Sequence, residues 1–317
     1  MSISATASPV VAAGAVCWRI VDGKTVVLIV RRGDRADVGL PKGKVDPGET
    51  PPQTAVRELK EETGLSVTLG APLQTIQYTM PGGKEKVVHF WAAEVSDAAV
   101  AASSFFPNAE IAAVQWLPIA KARAALSYDR DRDVLDEFEA RVTAGRVRTF
   151  PIIALRHGKA IPRPGWDGPD ATRPLMHRGR AQAISVAPAI AAWTPRKLIS
   201  STALRCLSTI EPTAAVTGLA ISLKEAISQD AFADDESGML KLVERRLAKR
   251  KPVVLCSHGP VIPHIVNEIA KATGEPDNRA LRRAGELATG EYIVLHVSLD
   301  HPHDGLVAFE THAPHPG

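Results

Sequence analysis

The chain has 317 residues, 45% hydrophobic and 23% charged, with 38 basic and 35 acidic side chains and a net charge of +3. That length exceeds one typical core and suits two domains, and the near balance of charge excludes a broad footprint for a nucleic acid polymer. Cys17, Cys206 and Cys256 show neither metal-ligand spacing nor disulfide density, which points to a reducing, cytoplasmic setting.

The opening segment, MSISATASPVVAAGAV, has no basic region and reaches Trp18-Arg19 before any long apolar run. Neither a signal peptide nor a membrane-spanning helix is expected, and so no membrane partner. Two β-branched runs follow, VVAAGAVCWRI and KTVVLIVRR, divided by Asp22-Gly23, which suits a hairpin turn. Next comes GKVDPGETPPQTAVRELKEETGL, from Gly43 to Leu65. Thr50 predicts a helix N-cap, Pro51 a first helical position, Gln53 a capping box and Gly64 a left-handed stop. Inside that helix Glu58, Glu61 and Glu62 stand at i, i+3 and i+4 on one face. Like charges at that spacing repel by a few tenths of a kcal/mol per pair, and a divalent cation removes the repulsion. Carboxylate oxygens are hard ligands that suit magnesium. A bare ExxEE is more often a solvated helix face, so the wider spacing matters.

VTLGAPLQTIQYTM and KVVHFWAAEV, split by Pro81-Gly82-Gly83, and then AAVQWLPI predict further strands. Val134, Phe138 and Val142 in DRDVLDEFEARVTA predict a one-sided helix ending at Gly145. The first domain closes near residue 147, giving domains 1–147 and 148–317. Beyond it TFPIIALRHG, RKLISS, PVVLCSHG and YIVLHVSL are short apolar runs with helical stretches between them, the pattern of an α/β sheet covered on both faces. KLVERRLAKRK, from Lys241 to Lys251, reads as a solvated helix face rather than an RNA patch.

Gly43, five residues, Glu49, seven residues and then Arg57-Glu58-Leu59-Lys60-Glu61-Glu62-Thr63-Gly64-Leu65 resembles the Nudix hydrolase signature at every defined position. The resemblance implies a mixed-sheet α/β/α fold and cleavage of a nucleoside diphosphate linked to another group. It implies Mg²⁺, with Mn²⁺ as a substitute, held by Glu58, Glu61 and Glu62 with the Gly43 carbonyl as an extra ligand. Arg57 is then expected to pair with Glu49 and fix the loop against the helix. The general base is a motif glutamate or an acid on a later loop, where Glu110 is the candidate. The flanks LPKGKVDPGE and QYTMPGGKEKVVHFW resemble the diadenosine polyphosphate and diphosphoinositol branch. Lys42, Lys44, Tyr78, Lys84 and Lys86 are candidates to meet a polyphosphate, the alternative being plain surface lysines and a strand tyrosine.

In the second half three apolar strands lead into Arg156-His157-Gly158, Arg205 and His258. Loops at the carboxyl ends of parallel strands are where α/β folds place ligands, and two Arg with two His make an oxyanion cradle. The set resembles the histidine phosphatase (phosphoglycerate mutase-like) superfamily, which implies a three-layer α/β fold. By that resemblance His157 is the nucleophile, and Arg156, Arg205 and His258 bind the phosphoryl group. Two departures stand out. Lys159 follows RHG where an acid or amide is common, and no acid is in its usual context, so Glu225 is the candidate proton donor.

The fusion of the two resembles two-domain actinobacterial MutT-type proteins. It implies hydrolysis of 8-oxo-dGTP and 8-oxo-GTP, with dinucleoside polyphosphates as the alternative main substrate. The second domain has three readings: a phosphatase acting on products, a phosphohistidine protein phosphatase, or a binding module. A homo-oligomer, with one subunit supplying the second cleft to another, is a further expectation.

Overall fold

The structure is a computed structural model that describes residues 8–33 and 37–315. The first seven residues of the segment read above as no signal peptide lie outside the described residues. Among the described residues no helix is long and apolar enough to cross a membrane. The chain divides into two compact units, Met1–Ala144 and Gly145–Gly317.

In the first unit the elements run β1 (Val10–Val21), β2 (Lys24–Arg32), β3 (Val38–Gly39), β4 (Lys42–Lys44), α1 (Pro51–Thr63), β5 (Ile76–Thr79), β6 (Glu85–Glu94), α2 (Asp97–Ala101), β7 (Ile111–Pro118), α3 (Ile119–Ala125) and α4 (Asp129–Thr143). The β1–β2 turn puts Asp22 and Gly23 at positive φ, as a two-residue hairpin of right-twisted strands demands. Among the described residues the seven-stranded sheet has the order β3-β2-β1-β6-β5, with β4 on β1 and β7 on β2. β1 and β6 run parallel and the other pairs antiparallel. Of the long run from Val67 to Met80 only Ile76–Thr79 is strand, because Pro72 makes a single bridge to Trp91 and the chain before it is irregular.

Helix α1 departs from its sequence reading at its start. Thr50 is the N-cap in extended conformation, yet its side chain caps nothing and its buried hydroxyl has no partner. Glu49 recruits the Thr54 hydroxyl instead, at 2.7 Å. At the other end Gly64 adopts φ 69° and its N–H returns to Lys60 O at 3.0 Å. A Cβ on Gly64 would also stand 2.3 Å from the Phe105 nitrogen, so the helix end is wedged against the segment leading to β7.

The second unit runs β8 (Thr149–Arg156), α5 (His177–Ala191), β9 (Lys197–Ser200), α6 (Leu204–Thr217), β10 (Ile221–Leu223), α7 (Gln229–Asp234), α8 (Ser237–Lys249), β11 (Val253–Ser257), α9 (Ile262–Thr273), α10 (Arg279–Ala284), β12 (Tyr292–Ser298) and β13 (Leu306–His312). Among the described residues its six strands have the order β10-β9-β11-β8-β12-β13. The first four are parallel, and β12 and β13 add an antiparallel edge. β8, β11 and β12 are buried nearly end to end, as strands covered on both faces should be. The basic run near Lys249 belongs to α8, which buries Met239 and Val243 and exposes its charges. Because β8, β9 and β11 are parallel neighbours, Arg156, Ser201 and His258 leave the sheet at the same edge.

Gly64→Ala is expected to cost about 1–3 kcal/mol, from the left-handed backbone and the Phe105 contact together, read as a lower urea midpoint at unchanged slope.

Two candidate active sites

The first site is a cleft of about 700 Å³ over α1 and β4. Glu58, Glu61, Glu110 and Gly43 line it together with Arg32, Lys42, Lys44 and Lys86. Gly43 has a steric reason: a Cβ there would lie 1.9–2.1 Å from the Glu58 carboxyl group. One guanidinium organises the carboxylates. Arg57 Nε and Nη2 fork onto Glu49 at 2.8 and 2.9 Å, and Nη1 donates to Glu58 at 2.8 Å and to Glu61 at 2.9 Å. Nη2 also donates to the Lys44 carbonyl at 3.0 Å, which ties the loop to the helix. The Arg57 fork holds the Glu49 carboxyl below its ordinary value, against the push of burial.

The three motif glutamates are not equivalent. Glu61 is mostly exposed, Glu58 is half-buried, and Glu62 is only 3% exposed. The Glu62 oxygens accept from Arg32 Nη2 at 3.0 Å and from the Lys42 backbone N–H at 2.8 Å, and the side chain does not line the cleft. Burial pushes its carboxyl up to about 7 against the pull of those donors. Burial also pushes Glu58 up, opposed by Arg57 and reinforced by Glu61 and Glu110. Carboxylate oxygens gathered beside a backbone carbonyl are hard donors that fit a small divalent cation. Among the described residues no group of three or more His, Cys, Asp or Glu is already arranged to hold a metal ion. Magnesium fits such a partial set, since it typically takes one or two carboxylates and completes its shell with water and phosphate.

The lysines divide. Lys42, Lys44 and Lys86 all line the cleft, but Lys42 Nζ is tied to Leu40 O at 3.1 Å and to Asp131 at 3.3 Å. Burial lowers Lys86, and repulsion from Lys42, Arg32, Lys44 and Arg130 adds to it. Lys84 is exposed and does not line the cleft. Tyr78 lies outside that lining and holds Arg130 instead, whose guanidinium sits 4.2 Å from the Tyr78 ring and 4.2 Å from the Tyr128 ring. Arg32, Asp131, Arg130 and Tyr128 were not singled out from the sequence, and none belongs to a motif. Arg32 alone carried a signal, as a charge ending an otherwise apolar strand.

The second site gathers at the carboxyl ends of β8, β9 and β11. The His157 and His258 rings meet edge to face with centroids 5.3 Å apart. His157 Nδ1 stands 2.8 Å from the Gly158 carbonyl, which can only accept, so Nδ1 carries the proton and Nε2 presents a lone pair. Burial pushes the His157 pKa down to about 3, helped by the nearby His258, Arg205 and Arg156. Arg156 crosses Gly259, where a Cβ would lie 2.8 Å from its guanidinium carbon. The Nε atoms of Arg156 and Arg205 are both buried without a hydrogen-bond partner.

His258 is held from both sides. Arg205 Nη2 donates to Nδ1 at 3.1 Å, so Nε2 is the protonated nitrogen and donates to the Ser201 hydroxyl at 2.8 Å. Ser201 touches the Ser228 hydroxyl at 2.9 Å, Ser228 touches Thr202 at 3.0 Å, and Thr202 donates to Glu225 at 2.5 Å. Glu225, the sequence candidate for an acid, is exposed and contacts Thr202. Ser201, Thr202 and Ser228 were missed, because short hydroxyl residues after strands usually serve turns. Arg205 is already committed to Asp170, at 2.9 Å. Lys159, the residue that departs from the usual pattern, is exposed, and its N–H donates to Gln182 at 2.9 Å.

Comparison with known proteins fits both halves. Residues 10–138 match the NUDIX domain, and residues 152–239 match the histidine phosphatase superfamily, branch 1. The chain is 33% identical over 301 residues to the 8-oxo-(d)GTP phosphatase of Mycolicibacterium smegmatis, covering 89% of this chain and 90% of the relative. The chain belongs to the Nudix hydrolase family. It is a Nudix hydrolase fused to a histidine phosphatase domain. The rat bis(5'-nucleosyl)-tetraphosphatase [asymmetrical] is 33% identical over 100 residues, 31% of this chain and 66% of that relative. The solved Ap4A hydrolase binary complex of C. elegans covers 43% of this chain and 98% of its own, at 28% identity and TM-score 0.39. A mycobacterial glucosyl-3-phosphoglycerate phosphatase covers 52% of this chain and 98% of its own, at 16% identity and TM-score 0.39. Nudix hydrolases generally use divalent metal ions.

The depressed His157 has a consequence for stability. The unfolded chain takes up the proton below about 6.5, while the folded chain resists until about 3. The stability this contributes is complete above pH 6.5 and is lost as pH falls toward 3. His157→Gln is expected to flatten that slope, measured by urea unfolding at pH 7, 6, 5 and 4.

Proposed function

We propose that the first domain hydrolyses 8-oxo-dGTP and 8-oxo-GTP with Mg²⁺, and that residues 148–317 act on the phosphate-bearing product. The observation that carries this reading is the likeness to the M. smegmatis 8-oxo-(d)GTP phosphatase, which runs through both domains rather than through the motif alone. Residues 1–147 form the working unit of the first chemistry in this reading. Glu58 and Glu61 would hold the ion, with the Gly43 carbonyl and Glu110 beside them, and Glu62 supports the site from behind through Arg32 and the Lys42 N–H. Bound Mg²⁺ would supply positive charge to the phosphate oxygens. Lys44, Lys86 and Arg32 screen the remaining phosphate charge, and a carboxylate takes the proton of the attacking water as the phosphoanhydride bond breaks.

In the second domain the unprotonated Nε2 of His157 attacks phosphorus, and the bond to the leaving oxygen breaks. Water then hydrolyses the phosphohistidine and restores the ring. The unpartnered Nε donors of Arg156 and Arg205 support this, since an incoming phosphoryl oxygen gives buried N–H groups the acceptors they lack. Glu225, exposed beside Thr202, enters as the acid that protonates the leaving oxygen. The cytoplasm suits this nucleotide work, and the three cysteines are free and buried.

Diadenosine polyphosphates are the second reading for the first site. Tyr78 and Tyr128 each lie 4.2 Å from the Arg130 guanidinium, and in this reading the two rings offer stacking faces to the second purine.

The two chemistries are expected to separate cleanly. Glu61→Gln should lower 8-oxo-dGTP hydrolysis by about 10²-fold or more, with stability unchanged or slightly raised as repulsion falls. EDTA should stop nucleotide hydrolysis and spare cleavage of a simple aryl phosphate, and His157→Ala should do the reverse. Near-normal turnover in Glu61→Gln, or equal loss of both activities under chelation, would refute the assignment. A Tyr128→Ala chain that loses diadenosine tetraphosphate hydrolysis and keeps 8-oxo-dGTP hydrolysis would favour the second substrate class.

A further inference from the structure

Arg205 is only 1% exposed, and both terminal nitrogens of its fork already donate. Nη1 donates to the Asp170 carbonyl at 2.8 Å. Nη2 donates to Asp170 Oδ2 at 2.9 Å and to His258 Nδ1 at 3.1 Å. Nε alone is without a partner. The other carboxylate oxygen of Asp170 accepts from Arg173 Nε at 2.8 Å and lies 3.5 Å from Arg163 Nε. One carboxylate therefore meets three guanidiniums, and two positive charges there stay uncompensated by it.

This arrangement is that of an anion site with an anion in it. The anion belongs to the chain. A phosphoryl dianion carries twice the charge of Asp170 and three acceptor oxygens, and planar guanidinium forks match it at least as well as they match a carboxylate. The segment that delivers Asp170 is held by ionic contacts rather than by apolar packing. It forms two single 3-10 turns, Arg163–Gly165 and Asp170–Thr172, neither of which buries a side chain. Its withdrawal gives up little apolar contact, which marks it as a low-cost local opening.

We propose that Asp170 is the internal occupant of the phosphoryl subsite, and that a phosphoryl group binds by displacing its carboxylate from Arg205. This rests on the reading of the Arg156, His157, Arg205 and His258 cluster as a phosphoryl site, and it adds an autoinhibitory step to it. The competing carboxylate lowers the apparent affinity by the fraction of molecules in which Arg205 is free. The alternative role for Asp170 is purely supportive, holding Arg205 in the orientation a ligand needs.

These roles predict opposite results for inorganic phosphate titrated calorimetrically into the full-length protein. Asp170→Asn keeps the shape and removes the charge, and displacement requires phosphate to bind about tenfold tighter or more. Weaker or equal binding overturns the proposal and leaves Asp170 as a support. If Asp170→Asn fails to fold, Pro169→Gly decides by itself. It keeps the carboxylate and loosens the exposed turn that presents it, so phosphate should bind about two- to fivefold tighter. Unchanged or weaker binding in Pro169→Gly then overturns the proposal. Arg205→Ala separates the two levels of inference. Phosphate binding that survives it unchanged, or no phosphate binding by the unaltered chain, removes the phosphoryl-site reading and the displacement with it. Loss in Arg205→Ala together with equal binding in Asp170→Asn removes the displacement alone.

Discussion

Three glutamates in and beside the first cleft share a single guanidinium, and the geometry of that cleft follows from this sharing. Arg57 donates to Glu49, Glu58 and Glu61 at 2.8–2.9 Å while also holding the Lys44 carbonyl. Without it, carboxylates on successive helical turns would splay apart, and the loop before α1 would have no fixed distance from the helix. With it, Glu58 is pressed so close to the backbone of β4 that only a glycine fits opposite. The same economy governs the second unit, where Arg205 joins Asp170 to His258 and so links a loop, a helix and a strand end. In each case a buried or half-buried arginine sets positions that short polar side chains could not hold alone.

The sites were legible to different depths. The Nudix spacing fixed α1 and its register, because a helix with Gly at its left-handed end and three carboxylates on one face leaves little freedom. It did not distinguish Glu61 from Glu62. Adjacent residues on a helix point about a hundred degrees apart, and only the sheet beneath decides which faces water. Here Glu62 turns inward onto Arg32 and Glu61 turns out. Thr50 illustrates a second limit: the capping pattern places the helix start, yet the Thr50 hydroxyl makes no cap bond and Glu49 ties to Thr54 in the first turn.

In the second unit the strand-end motifs were visible because apolar runs ending in Arg or His are rare. Their partners were not. Asp170 lies twelve residues beyond Gly158, the last residue of the motif, in a loop rich in Pro and Gly, with nothing local to mark it. Ser201, Thr202 and Ser228 are small residues whose significance depends on the parallel pairing of β9 with β10 and β11, a long-range fact that no short window contains.

The hydroxyl row between His258 and Glu225 carries one more consequence. Each hydroxyl has a single hydrogen, so once Arg205 obliges His258 to donate through Nε2, the row is oriented like a line of dominoes, with Ser201 giving to Ser228, Ser228 to Thr202 and Thr202 to Glu225. Reversing one member forces all to reverse, and a reversed row would set two donors against each other at His258. The polarity of the row is therefore a collective property, and its three hydroxyl residues are expected to tolerate replacement as a set rather than one at a time.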